Sequence, residues 1–320
     1  MQIAYLVCPN GLGHLRRSIE IINKISAIDD FLITIYMNPN RFSQKLLNSL
    51  VINNRIKIVN INLPHPVYSK QKFNYLELIK KFKLELEKFD LLISDNLIYP
   101  LIEVKNVKIL FISQFFWHDV INKRKFNNEE EYLFELEKSF LNSESISILG
   151  NQLFTMDTIR SFKEFTPIGN IRNPSFPNRM KGNYKKYILV SDGTTCASVD
   201  FISSKLPEVE EFCEENNFKL YLSPRLNTKN LKNHYEIFDY SLDSFKKVLF
   251  GICRPGLGLI TDLIYFYAIP IPIYFEDNLE LAHNKNVLNN MYKFESVQLI
   301  DLLNNLYKNL ENLQSISEKQ

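Results

Sequence analysis

The sequence has little of what marks metal-binding, secreted, membrane-spanning or nucleic-acid-binding proteins. Its four cysteines have no metal-ligand spacing, which indicates buried thiols in a reducing compartment. The net charge of +2 implies no strong polyelectrolyte partner. No apolar run reaches the roughly 18 residues that a membrane-spanning helix needs, and residues 1–11 are too quickly interrupted for a signal peptide. We therefore expect a cytoplasmic protein that binds no nucleic acid and has at most peripheral contact with the inner face of a membrane.

The chain does contain enough apolar residues for two globular domains. Of its 320 residues, 45% are hydrophobic and 23% are charged, which is typical of a soluble globular protein. The clearest linker candidate, residues 173–184, is rich in Pro, Asn, Lys and Arg. We predict one domain at residues 1–172 and a second at residues 185–320, joined by this linker.

The first 28 residues predict a strand, a glycine-rich loop and a helix. Residues 2–8 are apolar without alternation, as in a parallel strand buried on both faces. The loop Pro9–His14 follows, and a helical pattern then runs over residues 15–28. This order opens a doubly wound α/β domain. Because Arg17 or Ser18 stands where the dinucleotide fingerprint has its third glycine, the loop disfavours a Rossmann dinucleotide site.

Further apolar segments in the first half predict strands at residues 31–37, 55–61, 89–95 and 107–113. Loops at the carboxyl ends of parallel strands are where α/β sheets bind ligands. Gln114, Trp117 and His118 follow the last of these strands and are therefore candidates for a substrate pocket. The alternative is that the aromatic residues pack the domain and that His118 lies at the surface.

A second glycine-rich turn, Pro255 to Gly258, organises the second half of the chain. An apolar segment of helical length, an apolar strand and a second helix from Leu279 follow it. Gly256 and Gly258 let the backbone approach a ligand closely because they lack a Cβ. The next helix directs its free N–H groups at that ligand, which suits a phosphate. The alternative is an ordinary α/β connection in which glycine only serves the turn.

A third candidate loop, residues 191–195, follows the strand predicted at 187–190 and precedes a helix predicted at 199–215. Its small, hydroxyl-bearing residues suit an anion cradle. Asp192 adds a carboxylate to the loop, which a bound anion tolerates only if that carboxylate points away.

The pattern around the second turn resembles the donor half of GT-B glycosyltransferases, and most closely the MurG-like (glycosyltransferase family 28-like) branch, which transfers N-acetylglucosamine from UDP. The matching features are Arg254-x-Gly256, Thr261-Asp262, the Ala268–Pro270 step and the polar loop that leads to His283-Asn284. Gly258-Leu259 departs from that branch, which has a small residue followed by Thr there. The Gly-x-Gly-His-x-x-Arg string of residues 11–17 resembles the N-terminal loop of GT-B enzymes and of related UDP-sugar hydrolases of the pseudaminic acid pathway.

The resemblance implies an α/β protein of GT-B architecture, with two doubly wound Rossmann-like domains that face each other across a cleft. Residues 1–172 would form the acceptor side and residues 185–320 the nucleotide-sugar donor side. His14 would lie at the mouth of the cleft as the catalytic residue, because an imidazole is the side chain best matched to proton transfer near neutral pH. The alternative for His14 is a hydrogen bond that only closes its loop.

The resemblance also implies the substrate contacts. Asp262 would hold the ribose hydroxyls, while Glu280 and Asn284 would face the donor sugar. The predicted donor site consists of Gly13, Arg172, Gly193, Thr194, Thr195, Phe238, Tyr240, Arg254, Gly256, Gly258, Thr261, Asp262, Glu280, His283 and Asn284. The predicted acceptor site consists of Gly11, Gln114, Trp117 and His118.

The predicted function is an inverting glycosyltransferase that moves an N-acetylhexosamine or hexose from a UDP-sugar to a glycan or lipid-linked acceptor, in cell-surface glycan biosynthesis. The sequence has no Asp-x-Asp motif, so we expect no metal and no cofactor, with loop amides and helix dipoles stabilising the UDP leaving group. Two alternatives stay open. One is a UDP-sugar hydrolase on the same fold, and the other is a non-catalytic nucleotide-binding scaffold, which the departures at Asp192 and Leu259 favour.

Overall fold

The computed structural model describes residues 1–9, 12–38, 50, 54–64, 74–120, 128–142, 146–169, 185–193, 199–232, 234–273, 278–294, 298–310 and 313. The chain divides into two compact units, residues 1–173 and residues 174–320. The linker predicted at 173–184 lies outside the described residues apart from that division.

The first unit contains a parallel sheet of seven strands in the order β3-β2-β1-β4-β5-β6-β7. The strands are β1 Gln2–Leu6, β2 Leu32–Met37, β3 Ile56–Asn60, β4 Leu91–Asp95, β5 Lys108–Ile112, β6 Ile146–Asn151 and β7 Phe165–Ile168. The strand order reverses between β1 and β4, which pair directly. In doubly wound sheets, this reversal is where the strand ends open a ligand site.

Helices cover both faces of this sheet. They are α1 Leu12–Ile28, α2 Tyr75–Leu86, α3 Trp117–Val120, α4 Asn128–Leu141 and α5 Asp157–Arg160, with a 3-10 turn at Tyr99–Leu101. Successive residues of β1 enter different apolar clusters, because side chains alternate across a strand. Tyr5 packs in one cluster with Ile22 of α1, and Leu6 packs in the other with Phe82 of α2. Burial on both faces explains why β1 is apolar throughout.

The second unit contains a parallel sheet of five strands in the order β10-β9-β8-β11-β12. The strands are β8 Tyr187–Ser191, β9 Lys219–Leu222, β10 Tyr235–Ile237, β11 Val248–Cys253 and β12 Ile269–Pro272. The helices are α6 Val199–Ser203, α7 Leu206–Glu215, α8 Leu242–Lys247, α9 Leu257–Tyr265, α10 Leu279–Tyr292 and α11 Leu299–Lys308. The order again reverses, here between β8 and β11, so this sheet is doubly wound as well.

Two local features decide the packing of the second unit. The single helix predicted at 199–215 is wrong, because it divides into α6 and α7, and Pro207 lies in the first turn of α7. Proline suits a first turn since it has no N–H to lose there. In β11, a Cβ at Gly251 would collide with the side-chain methyl carbons of Leu263, so this glycine permits the close approach of α9.

Among the described residues, no helix is long and apolar enough to cross a membrane.

Candidate functional site

His14 and Asp95 meet at the carboxyl edge of the first sheet. His14 lies in the first turn of α1, which follows β1, and Asp95 is the last residue of β4. The strand reversal places these two strand ends side by side. The His14 Nδ1 atom is 3.1 Å from Oδ2 and 3.2 Å from Oδ1 of Asp95. The predicted catalytic histidine is thus held by an acidic partner at the topological switch point.

The Asp95 carboxylate is completely buried but well supplied with donors. Arg17 donates through Nη2 to Oδ1, and the Ser18 hydroxyl donates to Oδ2 at 3.2 Å. Burial alone raises the pKa of Asp95, but the neighbouring Arg17 and His14 outweigh that effect and leave this pKa below its usual value. Asp95 is therefore ionised near neutral pH.

Trp117, a predicted acceptor residue, lies beside this pair but is packed into the domain. The ring centroids of His14 and Trp117 are 6.2 Å apart. The indole Nε1 donates to the Asn96 carbonyl at 2.8 Å, and Trp117 is only 3% exposed. Asn96 has a φ of 56°, so the chain turns sharply directly after Asp95. The carboxyl ends of β4 and β5 together fix the indole next to the imidazole.

The other predicted residues of this edge are less informative. Gln114 is half-buried, and its carbonyl accepts the Met156 N–H at 2.7 Å. Gly13 is exposed, and a Cβ built there meets no described atom within 4 Å. Gly11 and the side chain of His118 lie outside the described residues.

The arrangement suits a general base. When Nδ1–H of His14 donates to Asp95, the opposite ring nitrogen Nε2 is left to accept a proton. A base oriented by a third group is the usual way in which proteins activate a hydroxyl or water.

Asp95 and Arg17 are functional candidates that the sequence analysis did not select. Two signals were present. The predicted strand 89–95 ends on an acid at the same sheet edge as the His14 loop, and Arg17 follows His14 by three positions on a helix, which places both on one face.

The second sheet carries a comparable set of residues at its own carboxyl edge. Ser191 ends β8, and Gly193 follows in a left-handed conformation with a φ of 74°. The Gly193 N–H donates to the Ser191 hydroxyl at 3.3 Å, and that hydroxyl lies 3.1 Å from the Tyr240 hydroxyl. The Arg254 side chain passes 3.8 Å from a Cβ built on Gly193. Thr194 and Thr195, predicted to complete this loop, lie outside the described residues.

Asp192 is buried and points away from the loop surface, toward β9. Arg225 Nη2 is 2.7 Å from Asp192 Oδ2, and it also donates to the Gly193 carbonyl. Ser223 donates to the other carboxylate oxygen. The negative charge of Asp192, which would repel an anion bound in this loop, is therefore neutralised within the unit. Neither Arg225 nor Ser223 was selected from the sequence, because both partners of Asp192 lie thirty or more positions away.

The turn before α9 is the second part of this edge. Gly256 is the N-cap of α9, and a Cβ built there meets no described atom within 4 Å. Asn284 is 2% exposed and donates from its amide to the Pro255 carbonyl at 3.0 Å. Its side chain thus supports the turn, whereas the sequence analysis expected it to face the donor sugar.

Two further predicted contacts are engaged inside the fold. The Thr261 hydroxyl bonds back to the Leu257 and Gly258 carbonyls at 2.9 and 3.1 Å. Phe238 is 1% exposed and packs edge-on against Tyr240, with ring centroids 4.8 Å apart. Its ring offers no surface to a nucleobase, because it is enclosed by other aromatic side chains.

The remaining predicted donor residues keep at least some exposure. Tyr240 is 43% exposed, Gly258 is exposed, and Asp262, Glu280 and His283 are half-buried. Tyr240 has a φ of 57°, an uncommon conformation for an aromatic residue. Arg172 lies outside the described residues. Among the described parts of the chain, no group of three or more His, Cys, Asp or Glu side chains is placed to hold a metal ion.

No protein-family model matches this chain, and a comparison with curated proteins gives no match. Solved structures are similar over most of its length. Phytolacca americana UGT2 complexed with UDP-2fluoro-glucose and pterostilbene has a TM-score of 0.67 at 12% identity, covering 99% of this chain and 93% of that one. Arabidopsis thaliana UGT89C1 complexed with UDP-L-rhamnose has a TM-score of 0.64 at 12% identity, covering 99% and 92%.

A third similar structure, the glycotransferase of kitacinnamycin, has a TM-score of 0.56 at 14% identity and covers 91% of this chain and 84% of that one. Identities this low establish the fold and nothing finer. The predicted GT-B fold is confirmed, whereas the MurG-like branch stays a prediction.

Proposed function

We propose that this chain is a glycosyltransferase that moves a sugar from a UDP-sugar to an acceptor hydroxyl, with inversion and without a required metal. The observation that carries the proposal is the His14–Asp95 pair at the switch point of the first sheet, with His14 Nδ1 3.1 Å from the carboxylate. The solved structures of similar fold support the donor class, because two of them are complexes with UDP-2fluoro-glucose and UDP-L-rhamnose.

The first unit supplies the base. His14 Nε2 takes the proton of the acceptor hydroxyl as its oxygen attacks the anomeric carbon of the donor. The bond from that carbon to the phosphate oxygen breaks, and UDP leaves with the electron pair. Asp95 stabilises the positive charge that forms on the ring. A single displacement of this kind inverts the anomeric configuration. Trp117, almost completely buried beside the imidazole, supports the His14 ring from the protein side.

The second unit supplies the donor site. The Gly256 turn and the first N–H groups of α9 are suited to the diphosphate, because a helix N-terminus carries partial positive charge. Arg254, beside Gly193, adds a cation to the same edge. Asp262, half-buried on α9, is assigned to the ribose hydroxyls, and the exposed ring of Tyr240 to the nucleobase. Thr194 and Thr195 stay predicted members of this site, and Arg172 of the first unit stays a predicted donor contact.

The finer features of the reaction are also part of the proposal. Four of them rest on the sequence resemblance. They are an N-acetylhexosamine or hexose as the transferred sugar, a glycan or lipid-linked acceptor, a role in cell-surface glycan biosynthesis, and peripheral membrane contact. The acceptor-complexed relatives of similar fold carry pterostilbene and quercetin, so small phenols belong in the acceptor panel as well.

The test is a panel of UDP-sugars incubated with the protein, with and without acceptors, followed by UDP release and product analysis. A transferase releases UDP at a useful rate only when an acceptor is present. Release of free sugar without acceptor would assign a UDP-sugar hydrolase. If UDP binds but no UDP-sugar is turned over under any condition, the chain is a non-catalytic nucleotide-binding scaffold. Asp95→Asn is the matched variant, because it keeps the shape of the carboxylate and removes its charge.

A further inference from the structure

Three side chains share the buried Asp95 carboxylate of the first unit. His14, Arg17 and Ser18 all reach Asp95, and we call these four residues the Asp95 cluster. Arg17 Nη2 contacts Asp95 Oδ1 and also lies 3.1 Å from His14 Nδ1. The two cation-forming side chains are 12% and 13% exposed, so little water screens them from each other.

The two carboxylate oxygens favour a proton on Nδ1 of a neutral His14 ring. A carboxylate only accepts hydrogen bonds, and a guanidinium only donates them. An unprotonated Nδ1 could accept from Arg17 Nη2 at 3.1 Å, but its lone pair would also face two negatively charged oxygens 3.1 and 3.2 Å away. A protonated Nδ1 instead makes a charge-assisted bond to the carboxylate, which is the stronger type. Nε2 is then the atom that accepts a proton.

The same geometry opposes a second proton on the ring. A charged imidazolium would stand beside the Arg17 guanidinium at 3.1 Å, with one carboxylate to balance two cations. Like charges at this distance and burial repel strongly. Without Arg17, the buried carboxylate would have only His14 to balance it and would favour the protonated ring.

We infer that Arg17 is a positioning residue: it neutralises Asp95, so that Asp95 orients the His14 ring without holding a second proton on it. The catalytic meaning of this inference rests on the proposed function, because only a neutral ring can serve as the base. The charge balance itself rests on the contacts alone and can be measured without any substrate.

Three neutral groups also lie close to the cluster. The Tyr5 hydroxyl of β1 approaches Ser18, and burial, followed by the charge of Asp95, raises the pKa of Tyr5, so this phenol stays neutral. The Cys8 thiol lies near Arg17, and the neutral indole of Trp117 faces His14 from α3. Of the side chains shown to contact His14, Arg17 and Asp95 are the charged ones.

The test is Arg17→Met, with the His14 ring titrated by NMR after selective histidine labelling and assigned with His14→Gln. We expect the titration midpoint read at His14 to rise by about one unit or more, because a neighbouring cation has been removed. In an active enzyme, the acidic limb of the pH profile of kcat/KM moves upward by the same amount. Arg17→Lys, which restores a cation, returns the midpoint most of the way to that of the unchanged protein.

Arg55→Met is the matched control, since it removes an arginine from an ion pair with Asp30, whose side chain is 92% exposed. It leaves the His14 midpoint unchanged. If Arg17→Met does not fold, Arg17→Gln takes its place with the same expectation, because it keeps a donor near Asp95 and loses the charge.

The outcomes separate this inference from the proposed function. A folded Arg17 variant with an unchanged His14 midpoint overturns the inference, even if activity falls equally at all pH values. A raised midpoint supports it. Should the midpoint rise in a protein that turns over no UDP-sugar, the charge balance stands and the proposed function fails.

Discussion

The carboxyl edges of the two sheets contain the same arrangement of charged and polar side chains, but it has a different role in each. Each buries an aspartate completely at the end of a central strand and gives it an arginine and a serine: Asp95 has Arg17 and Ser18, and Asp192 has Arg225 and Ser223. Only the first edge adds a histidine. The second adds a glycine whose carbonyl Arg225 also contacts. A neutralised aspartate thus orients a base in one unit and fixes a turn in the other.

A third buried acid shows what the arginine contributes. Glu137 of α4 is 1% exposed, and among the described residues no arginine or lysine forms an ion pair with it. Burial raises the pKa of Glu137 to about 8, although the Tyr99 backbone N–H opposes this. The pKa of Asp95, equally buried, is lowered instead. Burial without a cation keeps a carboxyl group neutral, and burial with one keeps it charged.

Removing the arginine of the second edge should have the largest effect. Arg225→Met leaves the Asp192 carboxylate buried without its cation, and we expect a loss of about 3 kcal/mol in the free energy of unfolding, the lower end for a broken buried pair. Denaturant unfolding followed by circular dichroism measures it. Lys246→Met is the control, because its partner Asp243 is 83% exposed and such pairs contribute little. Equal losses in both variants would mean that Asp192 needs no neutralisation.

Removing His14 tests the feature that the first sheet edge has and the second lacks. We expect His14→Ala to lower turnover of the UDP-sugar by about 10²-fold, the usual scale for a lost general base. UDP binding, measured by calorimetry, should persist because His14 is not among the proposed donor residues. Full activity in this variant would mean that His14 is not the base. The Asp95 cluster would then have only a structural role, like the Asp192–Arg225 pair.

Part of this comparison could be predicted from the sequence. The features that could not be predicted have a physical reason. Continuous apolar runs predicted the parallel strands, and the glycine-rich loop with His14 predicted the site end of the first sheet. The partners of the two aspartates were not predictable in the same way. Arg225 and Ser223 reach Asp192 only because β8 and β9 are neighbours in the sheet. Pairing between strands is a long-range property that local patterns do not encode.

Burial was the second limit. Phe238 and Asn284 stand at positions that the motif assigns to the ligand, yet the fold encloses both. Asn284 makes its bond to Pro255, 29 positions earlier. The motif points to this region, but which side chains of a turn face outward depends on the packing around it.

Glu137, the buried acid without a cation among the described residues, gives the next prediction. The folded pKa of Glu137, about 8, lies above its ordinary value of 4.5. The stability that this group contributes is therefore complete at low pH and is lost as the pH rises from about 4.5 to about 8, because the unfolded chain releases the proton first. Glu137→Gln should remove this loss. Denaturant unfolding at pH 5 and pH 8 measures it, and a variant that keeps the full pH dependence of the unchanged protein would contradict the assignment.

The smallest expected effect concerns the aromatic residue of the second edge. If the exposed ring of Tyr240 stacks on the nucleobase, Tyr240→Ala should weaken UDP binding by about tenfold, within the usual range for a lost stacking contact. Tyr240→Phe keeps the ring and loses only the contact of its hydroxyl with Ser191 at 3.1 Å, so affinity should fall no more than about threefold. Calorimetry with UDP compares the two variants. Equal losses would show that the hydroxyl, by holding Ser191 and the Gly193 turn, matters more than the ring, and the second edge would then bind UDP through its backbone.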